Sequence, residues 1–365
     1  MKFAFRLRSN FDLFVTVIAS TERLAGLLEK IRSADWIALD TEADSLHAYP
    51  EKLCLLQISL PTGDDLIDPL AGLDLSPVFE LLHDRELILH GADYDLRLLH
   101  RTFHFVPHKI FDTMWAARLV GQTEFGLVHL AARLLGVTLE KGPQKMNWAR
   151  RPLTERMEAY ARNDTRYLLP LARLLKDELI KLGRLEWHEE VCRKVIAECT
   201  QPKTMDVEAW RIKGSDRLDR FGLAVLRELW RWREKEAIAA NKPPFFVLSH
   251  EKLVGLAAHV SKSPELPMAF PKMLPARTAR LEAAIKRGLA VPASHYPERA
   301  KRRPQELTPS QTRHFEQLKQ RRDQHAAELG LDATLLASRA ELMAVAKGKD
   351  PSKLLMNWQR RFLTG

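Results

Sequence analysis

The chain has 365 residues, 45% of them apolar and 28% charged, with a formal net charge of +10. That length accommodates a catalytic domain of ordinary size with one or two smaller domains, and the apolar share excludes wholesale disorder. The charge is unevenly spread: residues 1–192 carry 24 Lys+Arg against 28 Asp+Glu, and residues 193–365 carry 33 against 19. The back half is therefore expected to meet a polyanion, the plainer alternative being a solvated basic surface.

The three cysteines, Cys54, Cys192 and Cys199, have no metal-ligand spacing, and their odd number argues against a disulfide framework. A reducing compartment, the cytoplasm, is expected. The opening stretch is broken by Arg6, Arg8, Ser9, Asn10 and Asp12, which leaves no signal-peptide core. No run approaches the roughly 18 apolar residues of a membrane span, so a soluble protein is expected.

In chain order, "FVTVIAS" (14–20) reads as a strand, with Thr21 capping a helix over "ERLAGLLEKIRS". "WIALDTE" and "LCLLQISL" (53–60) read as buried strands, and "DLIDPL" (65–70) as a short third. "SPVFELLHD" is a helix with Pro77 in its first turn. "ELILHGA" (86–92) is a strand, "YDLRLLHRTF" turns helical, and from Thr113 to about Leu182 the pattern is mostly helical. Strands followed by alternating helix and strand predict a mixed α/β layer fold.

Near residue 200 the texture changes. "CTQPKTMDVEAW" is a linker, and beyond it the pattern is helical. Residues 221–240 form a long amphipathic helix ended by "NKPP", with shorter helices after it. A second, basic break spans 292–305, and short helices run on to Leu363. The two helical parts read as a diverged repeat.

Carboxylates gather at three places. Asp40 and Glu42 follow the apolar run Ile37–Leu39, and their i, i+2 spacing points both to one face of a strand, with Thr41 pointing away. Two acids so close repel unless a cation lies between them, and hard oxygen ligands suit Mg²⁺ or Mn²⁺. Alone, such a pair is more often an ordinary strand exit into water. Asp93 and Asp95 follow the strand that ends at Gly91, where Asp93 reads as a helix cap. Tyr160 and Asp164 lie one turn apart on a helix face, while Arg162 and Arg166 fall off that face toward solvent.

Taken together, Asp-x-Glu, Tyr-Asp and Tyr-x-x-x-Asp in this order resemble the tyrosine-bearing branch of the DEDD superfamily of 3′–5′ exonucleases. The likeness is closer still to the ribonuclease D family. It runs through "LDTEADSLHAYPEKLCLLQIS", the His90-to-Asp95 spacing, "FDTMWAARLVG" and "NWARRPLTERMEAYARNDTRYLLPL". "LAVLRELWRWREKEAIAANKPP" resembles the HRDC module that follows the nuclease there, and the tail resembles a second, diverged copy. The sequence departs from the commoner form of the family at "TEADSLHAY".

The resemblance implies a ribonuclease H-like mixed sheet with flanking helices over residues 1–198, an HRDC domain over 206–291 and a second HRDC-like helical domain over 304–365. It implies an exoribonuclease that releases 5′-mononucleotides from RNA 3′ ends, tRNA precursors among them, using two divalent cations. Asp40, Glu42, Asp95 and Asp164 match the four metal-binding acids, and Tyr160 the tyrosine. Asp40 would serve both ions, Glu42 and Asp164 the first and Asp95 mainly the second; Tyr160 would orient and help deprotonate the attacking water. Asp112 matches no catalytic acid and reads as the cap of the helix from Thr113.

For RNA contacts, Lys141, Lys145, Arg150 and Arg151 surround Trp148 near the third motif, with a core position for Trp148 weighed evenly against an RNA platform. Arg227, Arg231 and Lys235 share a helix face, and of Trp230 and Trp232 one belongs in a core. His100, His104 and His108 read as surface histidines, since Pro107 interrupts the turn. A DNA exonuclease and a catalytically silent RNA-binding scaffold are the competing readings; the complete acid set favours an enzyme. A monomer is expected.

Overall fold

The computed structural model describes residues 17–140, 142, 145–201, 208–263, 273–299 and 307–364. The chain divides into two compact units: residues 1–43, 53–201 and 309–365, and residues 44–52 and 202–308.

The first unit is built on a five-stranded mixed sheet of β1 (Ile37–Ala43), β2 (Leu53–Leu60), β3 (Gly63–Ile67), β4 (Glu86–Leu89) and β5 (Lys109–Asp112), ordered β3-β2-β1-β4-β5. β1 pairs antiparallel with β2 and parallel with β4, and β4 runs parallel to β5. The strand expected at 14–20 leaves, among the described residues, an isolated parallel bridge from Ile18 to Ile67, and residues 14–16 lie outside the description. β5 was not expected from sequence.

Helices cover both faces. On one side α1 (Thr21–Ser33), α2 (Ser76–His83) and α3 (Asp93–Phe103) bury Leu27, Ile31, Val78, Leu82, Leu96 and Leu99 against Ile37, Leu39, Leu56 and Ile58. On the other, α4 (Thr113–Leu119), the short α5 (Leu127–Leu130), α6 (Glu155–Arg166) and α7 (Leu168–Lys181) follow, while α8 (Leu185–Cys199) gives Cys192 and Cys199 to the first side and Val191 to the second. There Ala38, Ile88 and Phe111 meet Leu168, Leu171 and Leu175, and Leu55 and Leu66 meet Met157 and Ala161. The alternation of a strand thus splits β1: Ile37, Leu39 and Thr41 face α3, while Ala38, Asp40 and Glu42 face α6 and α7.

Caps refine the expected boundaries. Ser20, not Thr21, caps α1. Asp93 lies in the first turn of α3, with Ala92 at the cap. There its charge suits the positive end of the helix, and its carboxylate takes Arg97 Nη2 at 2.9 Å.

The second unit holds α9 (Arg220–Ala240), the short α10 (Pro244–Val247), α11 (His250–Val260) and α12 (Pro275–Leu289). Asp219 caps α9, accepting from Gly222 N at 2.7 Å, and Asn241 ends it at φ 47°. Leu223, Leu226, Leu229 and Trp232 form its core with Leu253, Leu256, Leu281 and Ile285, and Trp230 packs at the margin.

Residues after 308 return to the first unit as α13 (Pro309–Leu329), α14 (Ala333–Leu336), α15 (Arg339–Ala346) and α16 (Asn357–Leu363). Trp358 stacks on Trp187 of α8 at 4.8 Å, nearly parallel. Glu190 accepts the Asn357 N–H of α16 at 2.7 Å. Buried Arg184 donates to Leu119 O at 2.8 Å and to Leu329 O at 2.7 Å, tying α4 to the end of α13. Among the described residues no helix is long and apolar enough to cross a membrane.

Candidate active site

At the carboxyl end of β1 the sheet runs out of apolar residues, and the register shift after Glu42 bends the strand there. Asp40 and Glu42 project toward α6, on which Tyr160 and Asp164 sit one turn apart. Carboxylate oxygens of Asp40, Glu42 and Asp164 all lie within 4.8 Å of one another. Three acids from two distant stretches of sequence thus meet at one spot.

Asp95 reaches the same end of the strand from the other face. It lies in the first turn of α3, is 6% exposed, and accepts a hydrogen bond from the Thr41 hydroxyl. The Thr41 side chain that strand alternation turns away from the acid pair is therefore the one that holds Asp95. The turn leading to Asp95 is held by Asp112, which is fully buried and accepts from Gly91 N at 3.0 Å and Ala92 N at 2.8 Å. Gly91 has a φ of 75°, a conformation that favours glycine. Asp112 also caps α4 as expected, accepting from Met114 N at 2.9 Å and Trp115 N at 3.2 Å. One buried carboxylate fixes both helix starts.

Burial and neighbouring charge raise all four acids above the ordinary carboxylate range. Burial, then the charges of Asp95, Asp164 and Glu42, raise Asp40 well above the carboxylate range. Burial and the charges of Asp164 and Asp95 push Glu42 up to about 9. Burial lifts Asp164 to about 7, against the opposing hydrogen bond from Tyr160. Burial lifts Asp95 to about 7 even though the Thr41 hydroxyl and backbone N–H favour its charge. The charge of Asp95 raises Asp40, Glu42 and Asp164, whereas the charge that raises Asp95 itself is that of Asp112. The donor set is all carboxylate, with hard oxygens crowded at like charge, and it fits a divalent cation such as Mg²⁺ or Mn²⁺.

Tyr160 is braced from two sides. Its ring lies 6.1 Å from that of Trp148, centroid to centroid. Against it passes the backbone of Gly142, where an added Cβ would stand 1.6 Å from a ring carbon. Sequence reasoning missed Gly142, Thr41 and the dual use of Asp112. Their partners lie far along the chain, and only the pleat of β1, which turns Thr41 to the α3 side, hinted at them.

The RNA-contact expectations are corrected in part. Trp148 is 1% exposed and belongs to the core under α6, so it offers no platform to a base. Arg151 is spent on structure: Nε meets Asp68 at 2.5 Å, and Nη2 meets Asp68 and the Cys54 carbonyl at 2.6 Å. Burial pushes Asp68 up, but these hydrogen bonds hold it below the usual carboxylate range. Arg162, expected in solvent, is 14% exposed and donates to Asp64 O at 2.7 Å, while Arg166 pairs with the Asp64 carboxylate at 2.6 Å. Lys145 and Arg150 are exposed, and Lys141 lies outside the described residues. In the second unit Lys235 and Arg231 are exposed, Arg231 pairing with Glu228 at 2.5 Å, and Arg227 is half-buried. The three histidines take no part in a ligand group among the described residues; His104 ends α3 at φ 54°.

Three carboxylates within 4.8 Å of one another at the end of a mixed sheet, with Asp95 and Tyr160 beside them, are the arrangement expected of a metal-dependent 3′–5′ exonuclease. Models of two families match the chain, the 3′–5′ exonuclease domain over residues 15–180 and the HRDC domain over residues 222–266. The chain is 34% identical over 254 residues to a ribonuclease D of Desulfotalea psychrophila, covering 68% of each. It is 30% identical over 362 residues to one of Jannaschia sp., covering 94% of this chain and 91% of that one. Among solved structures, Escherichia coli RNase D, described as an exoribonuclease involved in structured RNA processing, superposes with a TM-score of 0.73. That comparison has 26% identity and covers 95% of this chain and 96% of that one. The chain belongs to the ribonuclease D family, and is an exoribonuclease with a helical HRDC domain.

Proposed function

We propose that the protein trims structured RNAs, tRNA precursors among them, from the 3′ end, releasing 5′-mononucleotides with two divalent cations at the acid cluster. The single observation that carries the site assignment is the convergence of Asp40, Glu42 and Asp164 within 4.8 Å, with the charge of Asp95 acting on all three. The family of the chain supports the substrate class.

Asp40 would serve both cations, Glu42 and Asp164 one of them, and Asp95 the other. When bound, the cations supply positive charge for the attacking water and for the departing 3′-oxygen. Thr41 holds Asp95 in its orientation through the hydroxyl and so keeps the fourth ligand facing the site. Tyr160, donating to Asp164, would orient the attacking water and take part in removing its proton at Oη. Lys145, Arg150, Arg227, Arg231 and Lys235 are proposed to meet the RNA backbone. The three cysteines, buried and unbridged, support a reducing, cytoplasmic setting, where we propose a monomer.

The test uses end-labelled RNA and DNA with free or blocked 3′ ends, incubated with Mg²⁺, Mn²⁺ or chelator. Mononucleotides released from free RNA 3′ ends only with metal are expected. Asp40→Asn and Asp164→Asn should abolish that release while RNA binding persists, and Tyr160→Phe should slow turnover with metal affinity kept. Cleavage by Asp40→Asn at the wild-type rate would remove the site assignment, and preference for DNA would remove the substrate.

A further inference from the structure

Gln57 lies in the middle of β2, a strand buried along its whole length, and is itself 0% exposed. In the antiparallel pairing of β1 with β2 it stands directly opposite Asp40. Residues so opposed point to the same face of the sheet, with Cβ atoms about 5 Å apart. Its neighbours two residues away fix which face that is. Leu55 belongs to the cluster beneath α6, and the Ser59 hydroxyl lies 2.7 Å from Thr165 Oγ1 of α6. Gln57 therefore lies beneath α6 on the acid face of the sheet, as the cross-strand neighbour of Asp40.

Both of its side-chain polar atoms, Oε1 and Nε2, are buried and have no hydrogen-bond partner among the described residues. That is an expensive place for a carboxamide, because a buried donor and acceptor left unmade forfeit their hydration. The strand around it shows what would serve packing alone: Leu55 and Leu56 precede it and Ile58 follows. The other polar residue of the row, Ser59, is satisfied twice, by Thr165 at 2.7 Å and by Asp64 at 2.6 Å. Gln57 alone in this row waits for a partner. A carboxylate that carries a cation uses donors on its remaining lone pairs, and such outer partners orient it. Beside Asp40, Nε2 of Gln57 is a donor with nothing else to serve.

We propose that Gln57 is a positioning residue of the cation site, its carboxamide orienting the Asp40 carboxylate once a divalent cation is held there. The inference rests on the metal-site reading of Asp40 given above, and the experiment separates the two. The full-length protein is compared with Gln57→Met, which keeps length and volume but cannot donate, and with Asp40→Asn. Mn²⁺ affinity is measured by titration calorimetry, and the urea midpoint is measured in chelator.

For Gln57→Met we expect Mn²⁺ affinity to fall about 10- to 100-fold. The chelated midpoint should stay unchanged or rise, because an unsatisfied amide is removed. Exonuclease kcat should fall while KM for RNA is kept. A purely structural glutamine would give the opposite pattern, a lower midpoint with unchanged Mn²⁺ affinity, and that result overturns the proposal. If Asp40→Asn binds Mn²⁺ like the wild type, the metal-site reading itself fails. If Asp40→Asn loses Mn²⁺ while Gln57→Met keeps it, the proposal for Gln57 alone fails. Should Gln57→Met not fold, Gln57→Asn, which draws the amide back by one methylene, decides on the same Mn²⁺ measurement: weakening supports the role and wild-type affinity overturns it.

Discussion

Replacing Thr41 by Val tests how Asp95 is held. The methyl for hydroxyl exchange keeps the β-branched shape and strand preference, so β1 should form as before. What goes is the hydroxyl that donates to Asp95, at a position where both residues are 6% exposed and water cannot take over. A hydrogen bond to a charged group contributes about 1.5–3 kcal/mol, and loss of an outer partner typically lowers metal affinity or activity about 10- to 100-fold. The second figure corresponds to about 1.4–2.7 kcal/mol of transition-state stabilisation, the same size as the first. The pH dependence adds a sign. Burial pushes Asp95 up to about 7 while the Thr41 hydrogen bond opposes the rise, so Thr41→Val lifts it further and leaves more of it protonated at neutral pH. The cation must then displace a proton, and the deficit in activity should shrink as pH rises. The assay is single-turnover release of the 3′ nucleotide across pH at one fixed, subsaturating Mg²⁺ concentration, where proton and cation compete, with urea midpoints as a control on folding. Lower stability with cleavage and pH profile unchanged would refute the argument and make Thr41 a packing residue.

Three further outcomes follow from other parts of the site. The raised carboxylates, Glu42 at about 9 and Asp95 and Asp164 at about 7, bind more protons folded than unfolded. In chelator these acids make the urea midpoint fall as pH rises from about 4 to about 9, against His90 and His188, which are lowered by burial and act the opposite way. Saturating Mg²⁺ should flatten the acid contribution, and a Glu42→Gln variant with the wild-type pH slope contradicts the crowding of the acids. Arg151→Ala leaves the Asp68 carboxylate unpaired and should destabilise the protein by about 3 kcal/mol. RNA affinity should change little at a temperature where the variant is folded, as read by filter binding. Gly142→Ala should displace Tyr160 and lower kcat with Mn²⁺ affinity kept; a kcat equal to wild type would show that the loop yields to the ring.

Much of the site was legible because its spacing is local. Asp40 and Glu42 share a strand face by period two, and Tyr160 and Asp164 share a helix face by one turn, so each pair is fixed by backbone geometry alone. Asp112 was legible as a cap for the same reason, whereas its grip on Gly91 and Ala92 spans about 20 residues and two strands. β5 escaped because Lys109–Asp112 is four residues long and its strand pairing is with β4. Trp148 was ambiguous because cations flank it; the packing of α6, which no local pattern encodes, decides for the core. Arg162 was misjudged for a related reason. Its position off the Tyr160 face does lead outward from the helix, but β3 waits there with the Asp64 carbonyl. Gln57 passed as one more residue of a hydrophobic run, since polarity in a strand is informative only once its cross-strand neighbour is known.

The return of residues 309–365 to the nuclease unit has a consequence for biosynthesis. A ribosome that has finished the acids, the tyrosine and α8 has not finished the catalytic fold, because Trp187 still lacks Trp358 and Arg184 still lacks the Leu329 carbonyl. The nascent protein must wait with an apolar flank bare while more than a hundred intervening residues are made. A premature stop anywhere in that interval would leave every reactive side chain encoded and the protein around them unfinished.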